Sequence, residues 1–547
     1  MKTILVIQLA RMGDILQSTP LLAGLREHHP QAHICVLVDD QLREVVENNP
    51  CVDEVIGFRI RAFLPFILSP HHTLIEKYRL LKAELQSLES RVFDIVFNLN
   101  YTPLGIVLSS LLDAREVRGY RPAPNRGREI IKDRWMNYLF ILTSHRRLNR
   151  FNLVDIFTHC ADAVPSRKRL VFKVRDEDRG FARRFCEEHR ISDSELVLGL
   201  QVGAGSRFRR WPADYIADLA RLLIQKLNAR VILFGSRSEA EVGREIELKS
   251  KGPEPEAEKL INAIGSTSIG QLAALLERCN LLVTPDTGTM HLATAVGTRV
   301  TALFYASAFC YETGPYGEGN IILQANLPCF PCIETVTSCR DFRCKDVITP
   351  GLVFEVVKQQ VNDCVFQAEN IPPDVDVFYS QADGWGVRYL PMVKSGRSVE
   401  EIIALWYEGM WRRFFDGDRI DRDSNAHSML APHHPRSSQQ DVKERLRRFF
   451  TDLGLVAGLM KRGRDLSGRY IASEGESLDF EIKDVEELLR HLRQTEPLLG
   501  PIVDYYFIER ENLYLNGNEF KRELRDLFDG LYKSLRLAQE EFAYDPI

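Results

Sequence analysis

Two doubly wound α/β halves facing a cleft, followed by a mainly α-helical C-terminal part, make up the fold that this sequence predicts. Three observations carry the prediction. Short runs of aliphatic and β-branched residues recur through the chain, each followed by a stretch with helical spacing. The series breaks near residues 165 to 190 and then resumes. Beyond about Val357 the runs give way to long stretches with apolar residues three and four apart.

In order, the runs are ILVI (4–7), ICVLV (34–38) and DIVFNL (94–99), then LVLGLQV (196–202), RVILFG (230–235), LLVT (281–284) and VTALF (300–304). Runs apolar on both faces read as parallel strands covered on both sides, with the intervening helices as crossovers. That pattern, met twice, gives two Rossmann-like domains. The break, VPSRKRLVFKVRDEDRGFARRF, is charged and lacks a deeply buried strand. The expected domains are therefore 1–175, 176–360 and a mainly helical 361–547. The last opens with a hairpin, VDVFYSQADGWGVRYLPMV, turning at Asp383-Gly384-Trp385-Gly386. Helical stretches begin near Glu400, Asp441, Lys483 and Phe520, and HSMLAPHHPRSSQQ (427–440) reads as a linker.

At 547 residues the chain is too long for one core. A formal net charge of -5 gives no global attraction to nucleic acid or to an anionic membrane. No uncharged apolar run reaches the length of a bilayer-spanning helix, and the start, MKTILVIQLARMGDIL, is too briefly apolar for a signal peptide. Eleven cysteines, an odd number, argue against a disulfide framework. The expected location is cytoplasmic.

In a parallel sheet, ligands bind beyond the carboxyl ends of the strands. Four loops at such ends carry polar residues that packing does not require. In QLARMGDILQSTP, Gly13 frees the backbone and Asp14 stands at the mouth of the first helix, where it could accept a hydroxyl proton or simply cap the helix. In QVGAGSRFRRWP, Gly203 and Gly205 let backbone N–H groups approach an anion, and Arg207, Arg209 and Arg210 add positive charge. Phe208 stands where a dinucleotide fingerprint would need its third glycine, so that motif is excluded. In FGSRSEAE, Glu239 lies within possible reach of a ribose diol, although the helix macrodipole also favours an acid there. In PDTGTMH, the N–H groups of Thr287, Gly288 and Thr289 at a helix start would face an anion, and Asp286 and His291 could orient a sugar or phosphate.

The ordered set MGDILQSTPLLAGLR, GAGSRFRRWP, FGSRSEAE and NAIGSTSIGQLAALLERCNLLVTPDTGTMHLATAVGTRVTALF resembles glycosyltransferase family 9, the heptosyltransferase family of lipopolysaccharide synthesis. LSSLLDAREVRGY (108–120) is similar to a further segment of that family, and the likeness covers roughly residues 1 to 357. The resemblance implies a GT-B type fold, an ADP-activated heptose-like donor held mainly by the second domain, and an acceptor held by the first. It implies Asp14 as general base of a single inverting displacement, with no catalytic metal required. The family's phosphate-binding Lys, two positions before Trp-Pro, corresponds to Arg209, which exchanges a point charge for a planar fork. Donor binding falls to Gly203, Gly205, Arg209, Arg210, Glu239, Asp286, Thr287, Gly288, Thr289 and His291. The acceptor is expected to be a lipid-linked saccharide of the lipopolysaccharide core. Protein glycosylation with the same donor and a non-catalytic nucleotide-sugar scaffold are the alternatives.

Two features go beyond these loops. Cys329, Cys332, Cys339 and Cys344, spaced C-x2-C-x6-C-x4-C, could enclose a structural zinc or iron; unliganded thiols or a redox pair are the alternatives. The stretch 114–150 holds ten Lys and Arg against three acidic residues and could meet an anionic acceptor or the cytoplasmic face of the inner membrane. Arg118 and Arg121 in it join Gly13 as candidate acceptor contacts. The segment RAFLPFILSPHH (61–72) reads as a lid, a core element or an interfacial dip. The helical tail could form a homo-oligomer, dock a protein acceptor or position the enzyme on a membrane.

Overall fold

The computed structural model describes residues 2–60, 65–66, 69–89, 91–100, 102–122, 129–250, 256–333, 339, 341–364, 371–392, 398–416, 439–472, 477–513 and 518–543. Residues 61–64 and 67–68 of the apolar segment and 427–438 of the linker lie outside them. The chain forms two compact units: Met1–Arg118 with Asn152–Val393, and Gly119–Phe151 with Lys394–Ile547.

The first unit contains both α/β lobes. In the first lobe β1 (Thr3–Ile7), β2 (His33–Asp39), β3 (Glu54–Phe58), β4 (Val92–Asn98) and β5 (Asp113–Pro122) are ordered β3-β2-β1-β4-β5. The chain leaves this unit within β5; β6 (Glu129–Lys132) belongs to the second unit. Strand β1 pairs in parallel with β2 and β4, Ile4 facing Ile34 on one side and Ile95 on the other. ILVI is thus central and wholly buried, as its apolar character on both faces requires.

The second lobe comprises β7 (Val197–Gln201), β8 (Arg230–Phe234), β9 (Leu260–Asn262), β10 (Leu281–Pro285), β11 (Arg299–Phe304), β12 (Ile321–Ala325), β13 (Val375–Ala382) and β14 (Val387–Pro391), ordered β14-β13-β12-β11-β10-β7-β8-β9. Strands β7 to β12 pair in parallel. The helix Ala213–Leu227 lays Ile216, Leu219, Ala220 and Leu223 on the core and stops at Asn228, which takes the left-handed conformation (φ 57°). Burying each of the larger side chains stabilises the lobe by about 1.5–3 kcal/mol.

The hairpin differs from its expected placement at the head of the helical part. β13 pairs antiparallel with β12, Ile321 facing Tyr379, so β13 and β14 extend the second sheet. Helix Met12–His28 of the first lobe packs against helices Leu153–Cys160 and Gly288–Val296, and the last of these belongs to the second lobe.

Among its described residues the second unit is helical apart from the antiparallel pairing of the end of β5 with β6, Tyr120 facing Ile131. Asp133 caps helix Arg134–His145 by accepting the N–H groups of Trp135 and Met136 at 2.8 and 3.1 Å. The tail supplies helices Val399–Asp416, Gln439–Ala472, Ser477–Thr495, Gly500–Asn512 and Asn518–Ala543. Trp135 lies 4.4 Å from Phe415 between ring centroids, and Tyr138 lies 5.6 Å from Trp411. The basic stretch therefore contributes a helix to the core of this unit, as well as charge to its surface. Among the described residues no helix is long and apolar enough to cross a membrane.

Candidate active site

The site grows from the loop after β1. Asn100, buried just beyond β4, donates to the Ile7 carbonyl at 2.7 Å and accepts the Leu9 N–H at 2.9 Å, fixing where the chain turns into helix Met12–His28. Asp14 sits in the first turn of that helix, one carboxylate oxygen accepting the Arg11 N–H at 3.1 Å. Burial pushes its carboxyl above the usual carboxylate range. Asp286 acts in the same direction, while the Arg11 N–H and the charges of Arg11 and Arg209 pull it back.

Two helix starts meet here. A Cβ on Gly288 would fall 3.4 Å from the Gly13 nitrogen and 2.6 Å from the Met12 methyl, and one on Gly13 would fall 3.0 Å from the His291 ring. The absence of side chains at Gly13 and Gly288 is what lets helices Met12–His28 and Gly288–Val296 approach end to end. Thr287 caps the second helix, its hydroxyl accepting the Met290 N–H at 3.3 Å. Thr289 and His291 are buried in its first turns. Burial holds the His291 imidazole down at about 4, so it is neutral at physiological pH, and its Nδ1 has no hydrogen-bond partner among the described residues.

The arginine loop after β7 closes on the same place. Arg209 donates to Asp286 at 2.8 Å, both side chains largely buried, and Asp286 also accepts from the Thr313 hydroxyl at 3.2 Å. The Tyr305 hydroxyl donates to the Arg209 carbonyl at 3.2 Å, and Trp211 is anchored by its Nε1 to the Ile348 carbonyl at 3.1 Å. Arg210 reaches the Ala204 carbonyl and stands 3.9 Å from Glu239. Glu239 is buried, accepting both the N–H and the hydroxyl of Ser236 at 2.7 and 2.9 Å. It lies directly against Gly203, where a Cβ would fall 1.7 Å from its Oε1. Gly205 sits on the same turn, the Arg209 guanidinium 3.7 Å from the position of its absent Cβ.

The four loops thus converge, with a raised carboxyl on one lobe facing cations and helix N–H groups on the other. Such a setting suits a diphosphate beside a proton acceptor. The sequence model of glycosyltransferase family 9 (heptosyltransferase) matches residues 144–342, across the arginine loop, Glu239 and the PDTGTMH loop. Over that stretch the chain matches glycosyltransferase family 9. Similar curated proteins include lipooligosaccharide heptosyltransferase 2 of Campylobacter jejuni, 27% identical over 172 residues, or 31% of this chain and 52% of the relative. Lipopolysaccharide heptosyltransferase 2 of Salmonella typhimurium is 26% identical over 314 residues, 56% of this chain and 83% of the relative. The crystal structure of a family 9 glycosyl transferase from Veillonella parvula shares the fold at 24% identity and a TM-score of 0.54, covering 66% of this chain and 98% of that one. The chain spans about half the length of the first curated relatives it matches.

Other candidate residues stand apart. Arg118 is engaged by Glu116 at 2.7 Å, Asp162 at 2.9 Å and the Cys160 carbonyl at 3.1 Å. Arg121 belongs to the second unit. Cys329, Cys332, Cys339 and Cys344 gather: burial pushes the Cys344 thiol up, and Cys332, Cys339 and Cys329 push in the same direction. None of the four is in a disulfide, and four thiols are a donor set that suits zinc or iron. Among the described residues, however, the ligand atoms that approach within 4.8 Å of one another are those of His33, Cys35 and Glu54. There Arg91 grips both Glu54 oxygens at 2.7 and 2.8 Å and burial pushes the Cys35 thiol up to about 12, so a metal ion would meet a guanidinium and a protonated sulfur.

Sequence reading missed Asn100, Tyr305 and Thr313. Asn100 alone left a signal, the NLN at the carboxyl end of a buried run.

Proposed function

We propose that this chain is an inverting glycosyltransferase that moves a heptose-like sugar from an ADP-sugar to a hydroxyl of a lipopolysaccharide-core saccharide. The observation that carries the reading is the meeting of the two helix starts, which sets Asp14 beside Asp286 and Arg209 at the head of helix Gly288–Val296. Residues 1–175 serve as the acceptor domain and 176–360 as the donor domain. Asp14 takes the acceptor proton as the hydroxyl attacks the anomeric carbon, and the bond to ADP breaks on the opposite face. Arg209, Arg210 and the N–H groups of Thr287, Gly288 and Thr289 stabilise the charge that develops on the leaving diphosphate. Glu239 holds the ribose, and Asp286 and His291 orient the sugar. Gly13 and Arg118 contribute to acceptor binding. The enzyme works at the cytoplasmic face of the inner membrane.

The test is ADP release from ADP-heptose in the presence of a lipopolysaccharide-core acceptor. Asp14→Ala should lower turnover by about 10²–10⁴ while ADP still binds. A general base works only when deprotonated, and the Asp14 carboxyl is raised. Wild-type turnover should therefore be full above that raised pKa and decline as pH falls through it, at a higher pH than a free carboxylate would give. Undiminished turnover in Asp14→Ala removes the residue from the mechanism.

The four cysteines are proposed to hold a structural zinc or iron, serving the fold and not the transfer. Metal analysis of protein purified without chelator should find about one equivalent bound by four thiolates. A trace amount rejects the site.

A further inference from the structure

A second cavity, of about 460 Å³, lies where the linker between the two α/β lobes meets the second lobe. One wall is Ser166 to Arg169 of the linker, and the other includes Thr294, Arg299 and Asp383. Its volume falls in the range of small-molecule sites.

Four cations, Arg167, Lys168, Arg169 and Arg299, line the cavity against two acids, Glu318 and Asp383. The Asp383 carboxylate is used by the N–H groups of Trp385 and Gly386, both at 2.8 Å, and by Arg388 at 3.0 Å. Arg299 is paired with Asp363. Glu27, on the first lobe, accepts the N–H and hydroxyl of Ser166 at 2.8 and 2.9 Å. Arg167 and Arg169 have no carboxylate partner among the described residues, and Lys168 donates only to the Pro165 carbonyl, at 2.7 Å. Burial holds the Lys168 ammonium below its ordinary range, although the nearby carboxylates of Asp155, Asp383 and Glu27 pull it back up.

The linker is fastened to the first helix. Besides the Ser166–Glu27 bonds, the Val171 N–H donates to the Thr19 hydroxyl at 2.9 Å. That helix carries Asp14 at its start, and the helix that brings Thr294 to the cavity carries His291. We propose that this cavity binds a free, phosphate-bearing small molecule of sugar-phosphate size through Arg167, Lys168 and Arg169, and that its binding ties the first lobe's helix to the second lobe. The donor cleft then retains ADP more tightly.

The experiment titrates glucose 6-phosphate into ADP-saturated protein by calorimetry, with glucose as the uncharged control. Saturable binding of the phosphate compound alone is expected, weakened about tenfold or more in Arg167→Ala/Arg169→Ala, as the loss of charge-assisted hydrogen bonds requires. The double variant should bind ADP as the wild type does, showing that it is folded. ADP affinity, measured with and without saturating glucose 6-phosphate, should rise several-fold in the wild type and stay level in the double variant. Absence of saturable binding, or equal binding by the double variant, overturns the site; an unchanged ADP affinity overturns the coupling. The ADP measurements rest on the transferase reading. If ADP itself does not bind, that reading fails, while the glucose 6-phosphate titration is read on the unliganded protein.

Discussion

At the scale of single residues, the site depends on which side chains are absent as much as on which are present. Gly203 leaves room for Glu239, whose carboxylate is buried and held by Ser236. Gly203→Ala would place a methyl group 1.7 Å from a Glu239 oxygen, so Glu239 must leave Ser236 and vacate its pocket. We expect ADP affinity to fall by about tenfold or more, as the loss of a buried charge-assisted contact implies. Calorimetric titration of ADP measures it; an unchanged dissociation constant would show that Glu239 plays no part in holding the nucleotide. Both residues were readable as candidates in the sequence, Gly203 from its glycine pair and Glu239 from its place in a first helical turn. Their contact was not. A clash between positions 203 and 239 depends on how two parallel strands lie side by side, and no local spacing records that. Asn100 was overlooked for a similar reason, because its partners on either side of the β1 loop are more than ninety residues away.

Elements whose cause is local were legible, and those whose cause is distant were misplaced. Helix Gly288–Val296 follows from a Thr before a glycine and a glycine after the last turn, Gly297 taking φ 90°. Thr287→Ala removes the cap and should destabilise the protein by about 1 kcal/mol. Thermal denaturation with and without ADP tests this: the melting temperature should drop in both conditions, and more when ADP is present if these N–H groups hold its diphosphate. A drop of equal size confines Thr287 to a structural role. The β13–β14 hairpin was equally plain, since a Gly-containing turn between alternating strands is a short-range signal. Its home in the second sheet was hidden because β12, the strand it joins, is a five-residue run some fifty positions earlier and pairs with it antiparallel. EVIGF, now β3, was passed over because it opens on a charged residue and contains a glycine, both poor strand formers in isolation.

For the whole molecule, the helical tail and the excursion 119–151 form one unit, a union that no composition shift announces. Helix Arg134–His145 buries Trp135, Met136, Tyr138 and Ile141, and its aromatic neighbours Trp411 and Phe415 come from the tail. A chain ended after residue 393 should therefore expose these side chains, bind a hydrophobic dye and scatter light as it self-associates. The same truncation with 119–151 replaced by a short polar linker should stay dispersed. If the simple truncation remains monomeric and dye-silent, the excursion does not need the tail. The division also bears on how the chain is made. The excursion leaves the ribosome some 240 residues before the first part of the tail, at ordinary elongation rates a wait of roughly 12–50 s. Through that interval a helix start bearing Trp135 and Tyr138 has no partner from the tail of its own unit. Nascent chains of this protein should accordingly present a holding chaperone with a sticky segment at residues 134–145, and release it only once the helices of the tail have emerged.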